Sequence, residues 1–201
     1  MIDFIRDKTE FEQFKARLNE LFPNYTSFEN NAFNNNFKYF LGFEFSFIFH
    51  KSFFEKIKEL LIKIGNKNLI FYTIDPSPEE YFYKNFNAYS ILNISVNNTD
   101  EELSKIMMDC STEELAIVSD DIAWFSDSND WAIIGSRDWE IAVVGFTSLE
   151  TKEIFIKSFG ESADMFTSVG KQAEILDEML NFNNNVKNEY YKLAKNYIDK
   201  V

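Results

Sequence analysis

The chain has 201 residues, of which 45% are hydrophobic, and a formal net charge of −13 at pH 7. This length and hydrophobic share exclude a disordered chain and predict one globular domain over residues 1–201. The acidity is regional, because residues 99–178 contain 19 acidic and 5 basic side chains, whereas the rest contains 14 and 15. Binding to the phosphates of nucleic acid is driven by cationic side chains, so we expect this acidic chain not to bind nucleic acid directly. A basic protein surface is the expected partner, because it complements the acidic region.

The sequence predicts no membrane-spanning or export segment. The start, MIDFIRDKTEFEQF, carries charge throughout, and no run of about 18 apolar residues occurs in the chain. The single cysteine, Cys110, allows no intrachain disulfide, in keeping with a reducing compartment. We therefore expect a cytoplasmic protein that does not bind a membrane.

The first half of the chain is predicted to mix helices and strands. Apolar residues at spacings of three and four indicate an amphipathic helix at its start, and we attribute the Asn-rich connection after it to compositional bias. The predicted elements are, in chain order, a helix over 8–22, a strand over 39–50, a helix over 51–65, strands over 68–74 and 88–96, and a helix ending at Met108 with Thr99 or Asp100 as its cap.

The second half begins with an acidic span that contains a short apolar run at 114–125, followed by the hairpin discussed below. Helix is predicted from residue 170 onward, on both sides of the polar stretch at 181–188, which either continues the helix or breaks it. The elements do not follow strict βαβ alternation, and the last strands form a meander. This order predicts an α+β fold with a mostly antiparallel sheet, flanking helices and a C-terminal helical segment.

The residues needed for common catalytic and metal sites are scarce. The only histidine, His50, lies at a strand-to-helix junction, where a structural role is expected, and acidic neighbours disfavour a reactive thiolate at Cys110. Zinc ligands in clusters, an EF-hand loop and glycine-rich phosphate loops are missing from the sequence. We expect no enzyme, no metal site and no cofactor, although paired carboxylates leave a carboxylate-dependent hydrolase as a weaker alternative.

Residues 131–144 alternate with a period of two and are apolar on both faces, which predicts central strands that are covered on both sides. We place the hairpin connection at Gly135–Asp138 and expect Trp131 and Trp139 to pack across the strands. The expected ordinary role of Arg137 is an ion pair with Asp138 or Glu140.

Charged residues near the hairpin ends are the candidate partner-binding residues, since rigid scaffolds carry binding groups at such positions. An ordinary solvated turn explains them equally well. The candidates are Asp120, Asp121, Asp127, Asp130, Arg137, Asp138 and Glu140.

The string WFSDSNDWAIIGSRDWEIAVVGF, residues 124–146, resembles the late hairpin of small bacterial immunity proteins from polymorphic-toxin and contact-dependent inhibition systems. The resemblance covers about a tenth of the chain. It implies a cytoplasmic protein that binds and inactivates one toxin domain, for example a nuclease, without catalysing a reaction. A non-catalytic regulatory or scaffolding module is the alternative. The positions that match the aromatic-rich run are Trp131, Arg137, Asp138, Trp139 and Glu140.

Overall fold

The computed structural model describes residues 2–23, 25–108 and 114–200. Within them, seven strands form one sheet in which every pairing is antiparallel. The strands are β1 (Phe4–Ile5), β2 (Tyr39–Glu44), β3 (Asn68–Asp75), β4 (Tyr89–Ser95), β5 (Asp121–Ser126), β6 (Trp131–Ser136) and β7 (Ile141–Phe146). Their spatial order is β1-β4-β3-β5-β6-β7-β2. With its flanking helices, the sheet confirms the predicted α+β class.

Helices occupy most of the remaining described chain. Of the two caps predicted for the helix that ends near Met108, the structure uses Thr99, whose side chain accepts from the Glu102 amide. The Glu102 side chain accepts from the Thr99 amide in return, which forms a capping box. The helices are α1 (Lys8–Leu21), α2 (Lys51–Lys63), α3 (Lys84–Phe86), α4 (Asp100–Met107), α5 (Leu115–Val118), α6 (Leu149–Phe159), α7 (Val169–Leu180) and α8 (Asn184–Asn196), with 3-10 helices at Phe45–Phe49 and Gly160–Met165 and a π-helix at Pro78–Tyr83.

The polar stretch near residue 181 breaks the C-terminal helix. Asn181 adopts a left-handed conformation with φ 51° and ends α7, and the Asn183 side chain then caps α8 by accepting from two main-chain amides. Asparagine suits both positions, because it tolerates the left-handed region and accepts hydrogen bonds at a helix start. The C-terminal segment is therefore two helices that pack against each other.

The sheet is buried on both faces, as the two-sided hairpin pattern predicts. Along β6, Trp131 and Ile133 belong to the core under α2, α4 and α6, whereas Ala132 and Ile134 belong to the core under α1, α7 and α8. The Asn-rich connection contributes to the second core, because its phenylalanines are buried. These are Phe28, Phe33 and Phe37.

The hairpin connection differs from the predicted one by two residues. It is Arg137–Glu140, closed by a hydrogen bond from the Glu140 amide to the Arg137 oxygen, and Gly135 lies inside β6. Gly135 is needed there for packing, because a Cβ atom at this position would lie 2.9 Å from Cδ2 of Phe45. Trp139 consequently lies in the turn and does not pack across the strands from Trp131.

Other boundaries also differ from the predicted ones. The strand predicted over 39–50 ends at Glu44 and continues as a 3-10 helix, and the apolar run at 114–125 divides into α5 and β5. The short strand β1 and helix α6 were not predicted. No helix in the described ranges has the length and apolar character needed to cross a membrane.

Candidate functional site

The structure separates the seven candidate residues into two groups at opposite ends of the sheet. Asp120 and Asp121 lie at the start of β5, beside the β6–β7 turn that carries Arg137, Asp138 and Glu140. The other two candidates, in the β5–β6 turn, lie one strand length away, which is roughly 17–20 Å for a six-residue strand. These two are Asp127 and Asp130.

A further carboxylate joins the first group. Asp75, the last residue of β3, is the cross-strand partner of Asp121, and its main-chain oxygen accepts from the Asp120 amide at 2.8 Å. Asp75 was not among the residues predicted from the sequence, because the pairing of β3 with β5 brings together residues more than forty positions apart. We call the resulting cluster the acidic end: Asp75, Asp120, Asp121, Asp138 and Glu140.

Crowding at the acidic end affects the protonation of Asp75. Partial burial raises the pKa of its carboxyl above the usual value, and the charges of Asp121, Asp120 and Asp138 raise it further, in that order. A carboxyl surrounded by like charges holds its proton more tightly because ionisation adds to the repulsion. The acidic end is therefore a site of excess negative charge.

Arg137 is the cation at this end, but its guanidinium is engaged within the protein. Its Nη2 atom donates to the main-chain oxygen of Ala116 at 2.9 Å, its Nε atom lies 3.6 Å from a carboxylate oxygen of Asp120, and the group lies over the Phe45 ring. The expected pairing with Asp138 or Glu140 is thus wrong, because the side chain turns toward α5 and β5. Arg137 fixes the turn to the preceding segment.

The other carboxylates of the acidic end have different surroundings. Asp121 accepts a hydrogen bond from the Tyr25 hydroxyl, and Glu140 has the left-handed φ of 54° that ends the turn. Among the described residues, Asp75, Asp138 and Glu140 form no ion pair within 4.0 Å, and all three side chains are exposed. These three carboxylates are therefore exposed and available to pair with cations of a partner.

The opposite end of the sheet is tied to its neighbours. The Oδ2 atom of Asp127 accepts from the main-chain amides of Lys67 and Asn68, at 3.2 and 2.9 Å, and from the Asn68 side chain. This carboxylate therefore has a structural role in fixing the β5–β6 turn to the start of β3. The main-chain oxygen of Asp130 accepts from Thr147, and its side chain is exposed.

The structure also contains a groove of about 740 Å³ between α7, α8 and the edge strand β2, which we call the helix groove. A smaller cavity of about 70 Å³ lies beside His50, whose Nδ1 atom is 2.7 Å from Ser52 Oγ at the start of α2. Neither space is lined by the carboxylates of the acidic end. His50 has the helix-entry position that we predicted, and Cys110 lies outside the described residues.

The described part of the chain has no cluster of three or more His, Cys, Asp or Glu side chains that could hold a metal ion. The raised pKa of Asp75 is one property expected of a carboxylate-dependent hydrolase, but the residue is exposed and lines neither described space. The acidic end is better suited to binding a cationic surface than to acid–base chemistry in a cleft. Comparisons with protein-family models, curated proteins and solved structures found no match to this chain.

Proposed function

We propose that the protein is a non-catalytic, cytoplasmic immunity protein that binds and neutralises a basic toxin domain through its acidic end. The observation that carries this proposal is the convergence of five carboxylates from three chain segments, with one cation among them whose Nε and Nη2 donors are used within the protein. Cationic side chains of a partner would relieve the like-charge repulsion that adds to burial in raising the pKa of Asp75. Binding of such a partner is therefore favoured electrostatically.

The acidic end is held in place by main-chain hydrogen bonds. The Asp120 amide donates to the Asp75 oxygen, and the Arg137 amide donates to the Asp120 oxygen at 2.7 Å, so β3, β5 and the β6–β7 turn are linked directly. Carboxylates on linked strands lose little conformational freedom on binding, which favours affinity. A row of fixed carboxylates also presents negative charge to a cationic groove much as phosphates do, and speeds association with it.

The toxin is the partner suggested by the resemblance of residues 124–146 to immunity proteins. That stretch includes the whole β6–β7 turn and hence Asp138 and Glu140 of the acidic end. A toxin that acts on nucleic acid would have a cationic substrate groove of the kind that the acidic end complements. The regulatory or scaffolding alternative predicts a partner that is not a toxin and binding that survives high salt because apolar contacts carry it.

The experiment is survival of a bacterial host that expresses the C-terminal domain of whichever protein is encoded immediately upstream, with and without this protein, together with purification of any complex. Two substitutions with the same charge change locate the surface: Asp138→Lys at the acidic end and Asp130→Lys in the turn at the opposite end of the same strand. Both positions are exposed turn aspartates, so the pair controls for the change in net charge.

We expect rescue and a stable complex for the wild-type protein and for Asp130→Lys, and loss of both for Asp138→Lys. Equal effects of the two substitutions would contradict an acidic-end surface, because net charge alone would then explain the result. Failure of the wild-type protein to rescue would reject the immunity function and favour the regulatory alternative.

A further inference from the structure

The helix groove lies on the face of the sheet covered by α7 and α8, and it is lined mainly by apolar and aromatic side chains. Two of these large hydrophobic residues are mostly exposed to solvent: 63% of the surface of Tyr191 and 61% of that of Ile198. Its volume of about 740 Å³ is within the range of roughly 300–1,000 Å³ typical of sites for small molecules. The groove can therefore enclose the apolar body of a small ligand.

The charged side chains along the groove indicate the sign of the charge that a ligand should carry. Six charged side chains line it, and five have an ionic partner in the described chain: Lys152 with Asp199 at 2.8 Å, Lys187 with Asp177 at 3.0 Å, and Glu174 with Lys171 at 3.1 Å. The sixth is Lys195, whose ammonium lies 4.4 Å from the centre of the Tyr191 ring, with no carboxylate within 4.0 Å among the described residues. The charge that a ligand in the groove could pair with is thus the positive charge of Lys195.

The edge of β2 that borders the groove is already occupied. The Phe40 amide donates to Asp199 at 2.7 Å, and the Phe40 oxygen accepts from Lys152 at 3.4 Å. Two residues further along β2, Gly42 exchanges two main-chain hydrogen bonds with Thr167. An extended peptide would need these main-chain groups in order to add a strand, so a small molecule suits the groove better.

We infer that the helix groove binds a free, single-chain amphiphile with an apolar body and one acidic group, the chemistry of a fatty acid. The apolar body lies between α7 and α8, and the acidic group pairs with Lys195. Binding of this ligand is independent of the acidic end, since none of the five carboxylates there lines the groove.

The test is calorimetric titration of the whole protein with decanoate, and with decyltrimethylammonium as a ligand of equal chain length and opposite charge. Lys195→Met removes the cation and keeps an apolar stem, and Lys192→Met makes the same change on the same helix at an exposed position outside the groove. Gly170→Leu fills the groove, and Gly170→Ala is its control, because a Cβ atom there would meet only ordinary contacts of 3.8 Å or more.

We expect decanoate to bind with a 1:1 stoichiometry and decyltrimethylammonium to bind at least about tenfold more weakly, as loss of one charged hydrogen bond implies. Lys195→Met should weaken decanoate binding by a similar factor, and Gly170→Leu should abolish it, with both controls unchanged. Circular dichroism and thermal melting establish that each variant is folded. Absence of decanoate binding to the wild-type protein, equal binding of the two ligands, or equal effects of Lys195→Met and Lys192→Met would overturn the inference.

Discussion

The guanidinium of Arg137 donates twice to the main-chain oxygen of Ser119, from Nε at 3.2 Å and from Nη2 at 3.0 Å. Arg137→Met keeps an apolar stem near Phe45 but removes these donors, so we expect a loss of about 1.5–3 kcal/mol in the free energy of unfolding. Urea denaturation measures this loss. Arg6→Met, at an exposed position, is the control and should change stability by less than about 0.5 kcal/mol. An equal effect of both substitutions would reject the anchoring role of Arg137.

A second prediction concerns the close packing of β6 against the 3-10 helix at Phe45–Phe49. Gly135→Ala places a Cβ atom 2.9 Å from Phe45 and 3.2 Å from Ile48, both of which are buried. We expect a destabilisation of about 1–3 kcal/mol, as for other overpacked cores. Gly170→Ala should be neutral or slightly stabilising in the same denaturation measurement, because alanine is favoured over glycine within a helix. Similar results for the two glycines would contradict the packing described for β6.

A third prediction follows from the raised pKa of Asp75. The pKa of the Asp75 carboxyl is higher in the folded chain than in the unfolded chain. As the pH rises above the unfolded-state pKa, the unfolded chain releases the proton first, so the free energy of unfolding falls. Asp75→Asn should therefore stabilise the protein at neutral pH, by less than about 1 kcal/mol because solvent screens this exposed group. The gain should disappear below the ordinary aspartate pKa of about 3.9. Denaturant midpoints at the two pH values measure it, and a stability gain that is independent of pH would exclude the electrostatic explanation.

A fourth prediction concerns the attachment of the Asn-rich connection to the end of α8. The Tyr197 hydroxyl lies 3.0 Å from the Phe28 oxygen and 2.9 Å from the Asn30 oxygen, and Tyr197 is buried. The single hydroxyl hydrogen is shared between these two oxygens and is lost in Tyr197→Phe, so we expect a cost of about 1–3 kcal/mol by thermal or urea unfolding. The matched change Tyr191→Phe, on an exposed ring, should cost less than about 0.5 kcal/mol. No difference between the two would show that the hydroxyl does not hold the connection.

Local patterns in the sequence predicted much of the fold. The 3.6-residue periodicity of α1, a cap at Thr99 or Asp100 for α4, and the two-sided hydrophobicity of β6 are each properties of a few neighbouring residues. Helix α6 was missed, and Gly135 was assigned to a turn because glycine favours turns, although it faces the Phe45 ring. Phe45 is ninety positions away in the sequence, so no local pattern could reveal this contact.

The candidate site was predicted only in part, for the same physical reason. The residues of the β6–β7 turn and the start of β5 adjoin each other in one meander, so their proximity could be predicted. Asp75 reaches the acidic end only because β3 pairs with β5, and the helix groove depends on the packing of α7 and α8 beside β2. Neither strand order nor helix packing follows from periodicity.

The most direct test of the proposed function is the affinity of the purified toxin domain for the wild-type protein and for Asp138→Lys, at low and at high salt. An acidic-end interface predicts that wild-type affinity falls steeply with salt, and that Asp138→Lys binds more weakly with a flatter salt dependence, because screening removes an attraction that this variant has already reduced. Affinity that is unchanged by both salt and the substitution would contradict binding through the acidic end.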